Sequence, residues 1–199
     1  MIDKRERLMQ FVKEYGIVFD RVKLSSNIES DYYYDLKSVA FNPYGIDLLG
    51  DLLLEEVAKY NPKSVGGLEM GAIPLATAIA IKSVDRYDDG INPFVIRKNP
   101  KLHGLEKKIE GEVKAPVVIV DDVVTSGKSI YDAIKAVIDV TKLSVEGVVC
   151  VIDREEEGIT NVLKEKHIEY SALFRHSEFK LFIEEKLRKN QQNLKIQPN

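Results

Sequence analysis

The stretch Val117-Val118-Ile119-Val120-Asp121-Asp122-Val123-Val124-Thr125-Ser126-Gly127-Lys128-Ser129 decides how this chain of 199 residues folds. Four β-branched apolar residues run into two adjacent carboxylates, followed by two valines, two hydroxyls and a glycine. A short continuous apolar run reads as a strand buried on both faces. After Gly127, the residues Ile130, Ala133, Ile134, Val137 and Ile138 recur at helical spacing. The segment therefore predicts strand, polar turn, helix. In an open parallel sheet, ligands sit beyond the carboxyl ends of the strands. The two aspartates and the hydroxyl-glycine turn fall at such an end.

The turn points to a class of ligand. Thr125, Ser126, Gly127, Lys128 and Ser129 lie where a helix begins, so their backbone N–H groups lack intrahelical acceptors and the helix dipole adds positive charge. A phosphate suits such a site. Gly127 allows close approach of the backbone, and the hydroxyls can donate further bonds. Asp121 and Asp122 would repel a phosphate, so they must serve a different part of the ligand. They could accept hydrogen bonds from sugar hydroxyls or attract a hydrated Mg²⁺. The expected ligand is a phosphorylated sugar with vicinal hydroxyls. A Walker A loop is excluded, because the position of its first glycine is Asp122, and no G-x-G-x-x-G occurs in this turn. The plain alternative is an ordinary turn with two solvent-facing acids. Two acids, two hydroxyls and a glycine in this order weigh against it.

Composition limits the rest. A length of 199 residues fits one domain, and 44% apolar with 31% charged residues is a globular balance. No apolar run is long enough to span a bilayer, and the charged start Met1-Ile2-Asp3-Lys4-Arg5-Glu6-Arg7 is no signal peptide. The single cysteine, Cys150, sits inside an apolar run and reads as a packing residue. No Cys/His cluster has zinc spacing. These features imply a cytoplasmic protein with no membrane partner. A net charge of −3 argues against nucleic acid as a partner.

Working outward, residues 3 to 15 form an amphipathic pattern closed by Gly16. Ile17 to Leu24 and the tyrosine-rich Asp31 to Val39 read as strands around a turn at Ser25-Ser26-Asn27. Pro43 opens a long helix to about Tyr60. Residues 1–60 are expected to form a small hood. From Ser64 strand and helix alternate. Strands are predicted at Val65–Met70, Pro93–Lys98, Val117–Asp121, Gly147–Asp153 and Ile168–Phe174. The acidic Glu155-Glu156-Glu157 is expected near the start of another helix. The expected fold is α/β, a five-stranded mainly parallel sheet with helices on both faces. Residues 61–175 form its core, and 176–199 a C-terminal helix (residues 178 to 189) with a frayed polar tail.

Between the second and third sheet strands lies Asn99-Pro100-Lys101-Leu102-His103-Gly104-Leu105-Glu106-Lys107-Lys108-Ile109-Glu110-Gly111-Glu112, with no helical pattern. Loops of this length are functional or disordered. With Arg97 and Lys98 before it, the segment is strongly basic in an acidic protein. A solvated charged hairpin is the plain reading. A flexible lid over 99–112 that brings cations onto a polyanion is the functional one, and His103-Gly104 favours it.

Two resemblances follow from these residues. Val118 to Ser129 resembles the 5-phosphoribosyl-1-pyrophosphate (PRPP) motif of the type I phosphoribosyltransferases. Arg97-Lys98-x-x-Lys101-x-His103-Gly104 resembles the catalytic loop of the orotate phosphoribosyltransferases, which closes over the neighbouring active site of a homodimer. Asp153-Arg154-Glu155 is similar to that family's Asp-Arg-x-Glu, and Ser30-Asp31-Tyr32-Tyr33-Tyr34-Asp35 to its paired aromatics beside orotate. Two family features differ: Ser25-Ser26-Asn27 stands where many members have Lys-Ser-Gly, with Lys23 nearby, and Met70-Gly71-Ala72-Ile73-Pro74 where many have Tyr-Lys-Gly-Ile-Pro.

The resemblance implies that PRPP and orotate give orotidine 5′-monophosphate and pyrophosphate, with Mg²⁺ carried mainly by PRPP and water near Asp121 and Asp122. It implies that Arg97, Lys98, Lys101, His103 and the run Asp121, Asp122, Val123, Val124, Thr125, Ser126, Gly127, Lys128 and Ser129 bind PRPP. Lys101, His103, Asp121 and Asp122 would be catalytic, and Tyr33, Tyr34, Thr125 and Arg154 would bind orotate. A purine phosphoribosyltransferase is the alternative enzyme; the basic His-Gly loop and Arg154 favour orotate. A PRPP-sensing regulator is the non-enzymatic alternative, and the intact loop argues against it. Replacing Lys101 with alanine is expected to lower turnover by about two orders of magnitude or more. Its melting temperature should stay close to wild type; a large drop in thermal scans would make the loop structural instead.

Overall fold

The computed structural model describes residues 3–23, 29–99, 107–156, 163 and 166–196. Helix α1 spans Lys4–Tyr15, and the Gly16 N–H bonds back to the Val12 carbonyl. The expected strand Ile17–Leu24 is divided into β1 (Ile17–Val18) and β2 (Val22–Lys23), and β3 (Glu29–Ser30) and β4 (Tyr33–Tyr34) follow. β1 pairs antiparallel with β4, and β2 with β3. The expected turn at Ser25–Asn27 lies outside the described residues.

The strand expected from Asp31 to Val39 is shorter than predicted. It gives way to helix α2 (Leu36–Ala40), because Leu36, Val39 and Ala40 have the three- and four-residue spacing that buries one helical face. Helix α3 (Pro43–Val57) begins at Asn42, whose side chain accepts from the Tyr44 and Gly45 N–H groups. Pro43 in its first turn needs no N–H partner.

The main sheet contains β5 (Ser64–Leu68), β6 (Asn92–Ile96), β7 (Ile109–Glu110), β8 (Val117–Val124), β9 (Val145–Asp153) and β10 (Glu169–Arg175). Its order is β10-β9-β8-β5-β6-β7. Five strands are parallel, as expected; the sixth, β7, is antiparallel to β6, with Ile96 opposite Ile109. A sequence pattern missed β7 because two residues offer no periodicity. Burying Ile109 against Phe94 and Ile96 fixes this end of the basic segment. Helices α4 (Ala72–Ser83), α5 (Lys128–Thr141) and α6 (Lys180–Ile196) complete the fold. Helix α6 continues through most of the stretch expected to be a frayed tail. The helix expected near Glu157 falls mostly outside the described residues.

The continuous apolar run of β8 serves two cores. Val118 and Val120 belong to one core, which also holds Leu8 of α1, Leu53 of α3, Ile79 of α4 and Phe174 of β10. Val117 and Ile119 face α5, alongside Ile130, Ile134 and Val137. Residues alternate across a strand, so both faces must be apolar when both carry helices. Full burial of each such side chain stabilises the fold by about 1.5–3 kcal/mol.

Candidate functional site

β5 and β8 are the central neighbours from which the sheet is built outward in opposite directions, with β6 on one side and β9 on the other. Their pairing ends at Gly66 opposite Ile119, while β8 remains paired with β9 to Val124 opposite Asp153. The crevice that opens at such a switch point receives ligands. Asp121 and Asp122 fall there. Two cavities, of about 530 Å³ and 430 Å³, share Leu68, Lys98, Asp121, Val123, Thr125 and Ser129 in their walls.

The larger cavity is closed by the predicted phosphate turn, Thr125 to Ser129, with Val124 behind it. Gly127 has φ +75, a left-handed conformation that suits glycine, and starts α5 without a side-chain cap. The N–H groups of the first turn of α5 thus have no cap acceptor from Gly127, and the dipole favours an anion there. The Lys128 ammonium reaches down the helix to Asp132 at 2.7 Å and is mostly exposed. Lys98 and Lys108 supply cations to the same wall.

The two aspartates differ because strand alternation turns them apart. Asp121 is only 8% exposed, and its Oδ1 accepts from the Asp122 N–H at 3.0 Å. Burial, reinforced by the Asp122 charge, pushes its carboxyl up to about 8. Asp122 lies against Gly71, where an added Cβ would come within 2.6 Å of the carboxylate. Bare backbone after β5 is thus what lets Asp122 occupy this position. Among the described residues no three His, Cys, Asp or Glu side chains are grouped to hold a metal ion. The two acids fit a Mg²⁺ ion that keeps most of its waters and takes one or two carboxylates.

The smaller cavity joins Asp122 and Gly71 to Tyr33, Tyr34, Lys37 and Arg154. The pairing of β4 with β1 brings the two tyrosines here, and Tyr34 is fully buried. The Arg154 side chain is 9% exposed. Its Nε bonds Glu156 at 2.9 Å, and its guanidinium lies over the Tyr32 ring, 5.2 Å from the centroid. Its Nη2 donates to the Tyr32 hydroxyl at 3.4 Å, and a guanidinium has five N–H donors, enough to meet a carboxylate as well. The backbone N–H of Arg154 donates to the Val124 carbonyl, tying this residue to the phosphate strand.

Most predicted site residues converge. Arg97 does not: it lines neither cavity, and its Nε bonds Glu110 across the β6–β7 hairpin at 3.0 Å. Lys101 and His103 lie outside the described residues. Lys37 was missed by sequence reasoning. Its ammonium bonds the Tyr33 hydroxyl at 3.0 Å and faces Asp35 at 3.3 Å. Burial opposes its charge, but the Tyr33 hydroxyl and the Asp35 and Asp122 charges hold its pKa above the ordinary value. The missed signal was helical: Lys37 follows Tyr33 by four residues, and only α2 turns it toward the cavity. Cys150 is buried as expected, with Sγ 3.2 Å from the Tyr170 hydroxyl.

No family model matches the chain. Comparison with known proteins nevertheless gives close relatives. The chain is 43% identical over 180 residues to the orotate phosphoribosyltransferase of Aquifex aeolicus (strain VF5), covering 88% of this chain and 97% of that one. The crystal structure of Mycobacterium tuberculosis H37Rv orotate phosphoribosyltransferase with Fe(III) dicitrate superposes with a TM-score of 0.74 at 34% identity, covering 88% of this chain and 98% of the other. The same enzyme in complex with PRPP gives a TM-score of 0.71 at 32% identity, with coverage of 88% and 98%.

The raised Asp121 pKa has a consequence for stability. Its folded value of about 8 exceeds the unfolded value of 3.8, so the folded state binds the extra proton between them. The contribution is fully present below the unfolded value and is lost as pH rises through about 8. Asp121→Asn keeps the acceptor for the Asp122 N–H without the charge. Thermal scans should find it more stable than wild type at pH 8, by about 5 °C, with the gain shrinking toward pH 5. An equal shift at both pH values would refute the assignment.

Proposed function

The chain belongs to the orotate phosphoribosyltransferase family, and from that membership we propose how its own residues carry out the transfer. The reaction joins orotate N1, which gives up its proton, to the anomeric carbon of PRPP as the bond from that carbon to the pyrophosphate oxygen breaks. The products are orotidine 5′-monophosphate and pyrophosphate, in pyrimidine biosynthesis. The observation that carries the residue assignment is the convergence of the phosphate turn, the two aspartates and the Tyr33–Tyr34–Arg154 wall on adjoining cavities.

In this reading the 5′-phosphate sits on the backbone N–H groups of Thr125 to Ser129, and the hydroxyls of Thr125, Ser126 and Ser129 supply further donors. Asp122 accepts from the ribose hydroxyls. Asp121, desolvated by burial, exchanges hydrogen bonds with the ribose according to its proton, and a carboxylate of the pair stabilises positive charge growing on the ribose. A Mg²⁺ ion bound with PRPP would supply positive charge at the pyrophosphate. Asp121 and Asp122 would hold its water shell.

Orotate enters between the hood and the end of β9, against Tyr33 and Tyr34, with the Arg154 guanidinium on its carboxylate and Thr125 beside the ring. Lys37 adds a second cation to this wall. An acceptor pocket with two cations favours an anionic pyrimidine over a neutral purine. Lys98, Lys101 and His103 meet the pyrophosphate, where negative charge grows as the bond breaks. Arg97 acts on the same loop through its pair with Glu110, which ties β6 to β7. Closure of the part of the 99–112 segment that precedes β7 would exclude water from the oxocarbenium-like centre.

The functional unit is a homodimer of single-domain chains, each hood (1–60) covering its core (61–175), with the 99–112 segment serving the neighbouring site. Support for a dimer lies in the exposed Phe41, Tyr44 and Ile81 and in an apolar groove of about 420 Å³ between α3 and α4.

A spectrophotometric assay with PRPP and Mg²⁺ should show consumption of orotate and none of adenine, hypoxanthine or guanine. Turnover of a purine with orotate untouched would overturn the reading. Shared sites are tested by mixing inactive Lys101→Ala and Asp122→Asn proteins. Subunit exchange should restore about a quarter of wild-type activity, one competent site in each mixed dimer. No recovery after proven exchange would confine each loop to its own subunit.

A further inference from the structure

The acceptor wall is backed by a residue outside the motifs, His176. It opens the short 3₁₀ turn His176–Glu178 at the carboxyl end of β10, where Arg175 pairs with Asp153. Its Nδ1 lies 2.9 Å from the Tyr34 hydroxyl. Its ring is parallel to Tyr32 within 9°, at 5.8 Å between centroids. Tyr32 and Tyr34 meet edge to face at 5.8 Å. Arg154 lies over both tyrosines, at 5.2 Å and 5.8 Å, with Nη2 3.4 Å from the Tyr32 hydroxyl.

We propose that His176 is a positioning residue of the orotate pocket: it orients Tyr34 by accepting its hydroxyl hydrogen bond and Tyr32 by stacking, and through them it holds Arg154 toward the acceptor carboxylate. This rests on the reading of the site given above. Neutral imidazole is the form that can accept at Nδ1. Burial raises the Tyr34 phenol, which therefore keeps its proton and donates. Burial, then the Arg154 charge, lowers the His176 pKa. The charged groups around the ring are Arg154, Glu155 and Glu156 after β9 and Lys180 on α6, with the Tyr32 and Tyr34 hydroxyls on the hood. Protonation would turn Nδ1 from acceptor to donor and set a cation beside Arg154. The Glu155 carboxylate is engaged by the Ser177 N–H at 2.7 Å, which holds the turn in register with β9.

The test is steady-state kinetics across pH. His176→Ala should raise KM for orotate about fivefold, the effect of one lost net hydrogen bond. The kcat and the KM for PRPP should stay within about twofold of wild type. His176→Phe, which keeps a ring on Tyr32 but no acceptor, should behave alike and covers the case of a poorly folded alanine variant. His176→Asn places an untitratable acceptor near Nδ1 and should restore KM. In wild type, KM for orotate should climb as pH falls below the ordinary histidine range. His176→Asn should remove that climb. An unmoved orotate KM in both ring-altering variants, in a wild type that turns over orotate, overturns the role of His176 alone. So does a joint fall in kcat, PRPP affinity and melting temperature without rescue by asparagine. A wild type inactive on orotate overturns the parent reading first, and this one with it.

Discussion

β8 leaves β5 after Ile119 yet stays paired with β9 to Val124, and the site depends on this asymmetry. A fully paired strand would spend its backbone groups on neighbours and leave no crevice. A strand freed on both sides would leave polar groups unpaired in the interior. Pairing on one side alone holds β8 rigid and lets its last residues face a cavity. The two cores on either side of Val117–Val120 fix the strand's height and rotation, and hence where Asp121 and Asp122 begin.

Electrostatic differences follow from that placement. Neighbouring carboxylates on one strand point to opposite faces, so one is desolvated and the other lies against bare backbone at Gly71. Burial raises the proton affinity of Asp121. The cations come from elsewhere: Lys98 from the end of β6, Lys37 from α2 and Arg154 from the end of β9. The sheet order assembles them.

The acceptor side depends on the hood. β4 is two residues long, and its pairing with β1 brings Tyr33 and Tyr34 over the cavity mouth. Tyr34 is buried between that pairing and the His176 ring, with Phe179 edge-on at 5.9 Å. Hood and C-terminal turn thus meet through aromatic packing beside the smaller cavity. The Arg154–Glu156 pair is largely desolvated, so a ligand carboxylate that engages Arg154 meets a guanidinium already oriented.

The parallel strands, the phosphate turn and the family are all legible in the order of residues along the chain. A strand buried on both faces must be continuously apolar, and a helix N-terminus that takes phosphate needs glycine and hydroxyls in a fixed order. Local constraints of that kind can be read one segment at a time. Other features arise only when distant segments pack. The pairing of Ile109 with Ile96 made part of an expected loop into a strand, because burial against Phe94 outweighed weak local propensity. Packing turned the stretch after Tyr34 into a helix and so aimed Lys37 at the cavity. It directed Arg97 to Glu110, apart from the other predicted contacts. And it brought His176 against Tyr34, 142 residues away in sequence. A contact across that separation has no local pattern, since only the order of strands in the sheet makes the two residues neighbours.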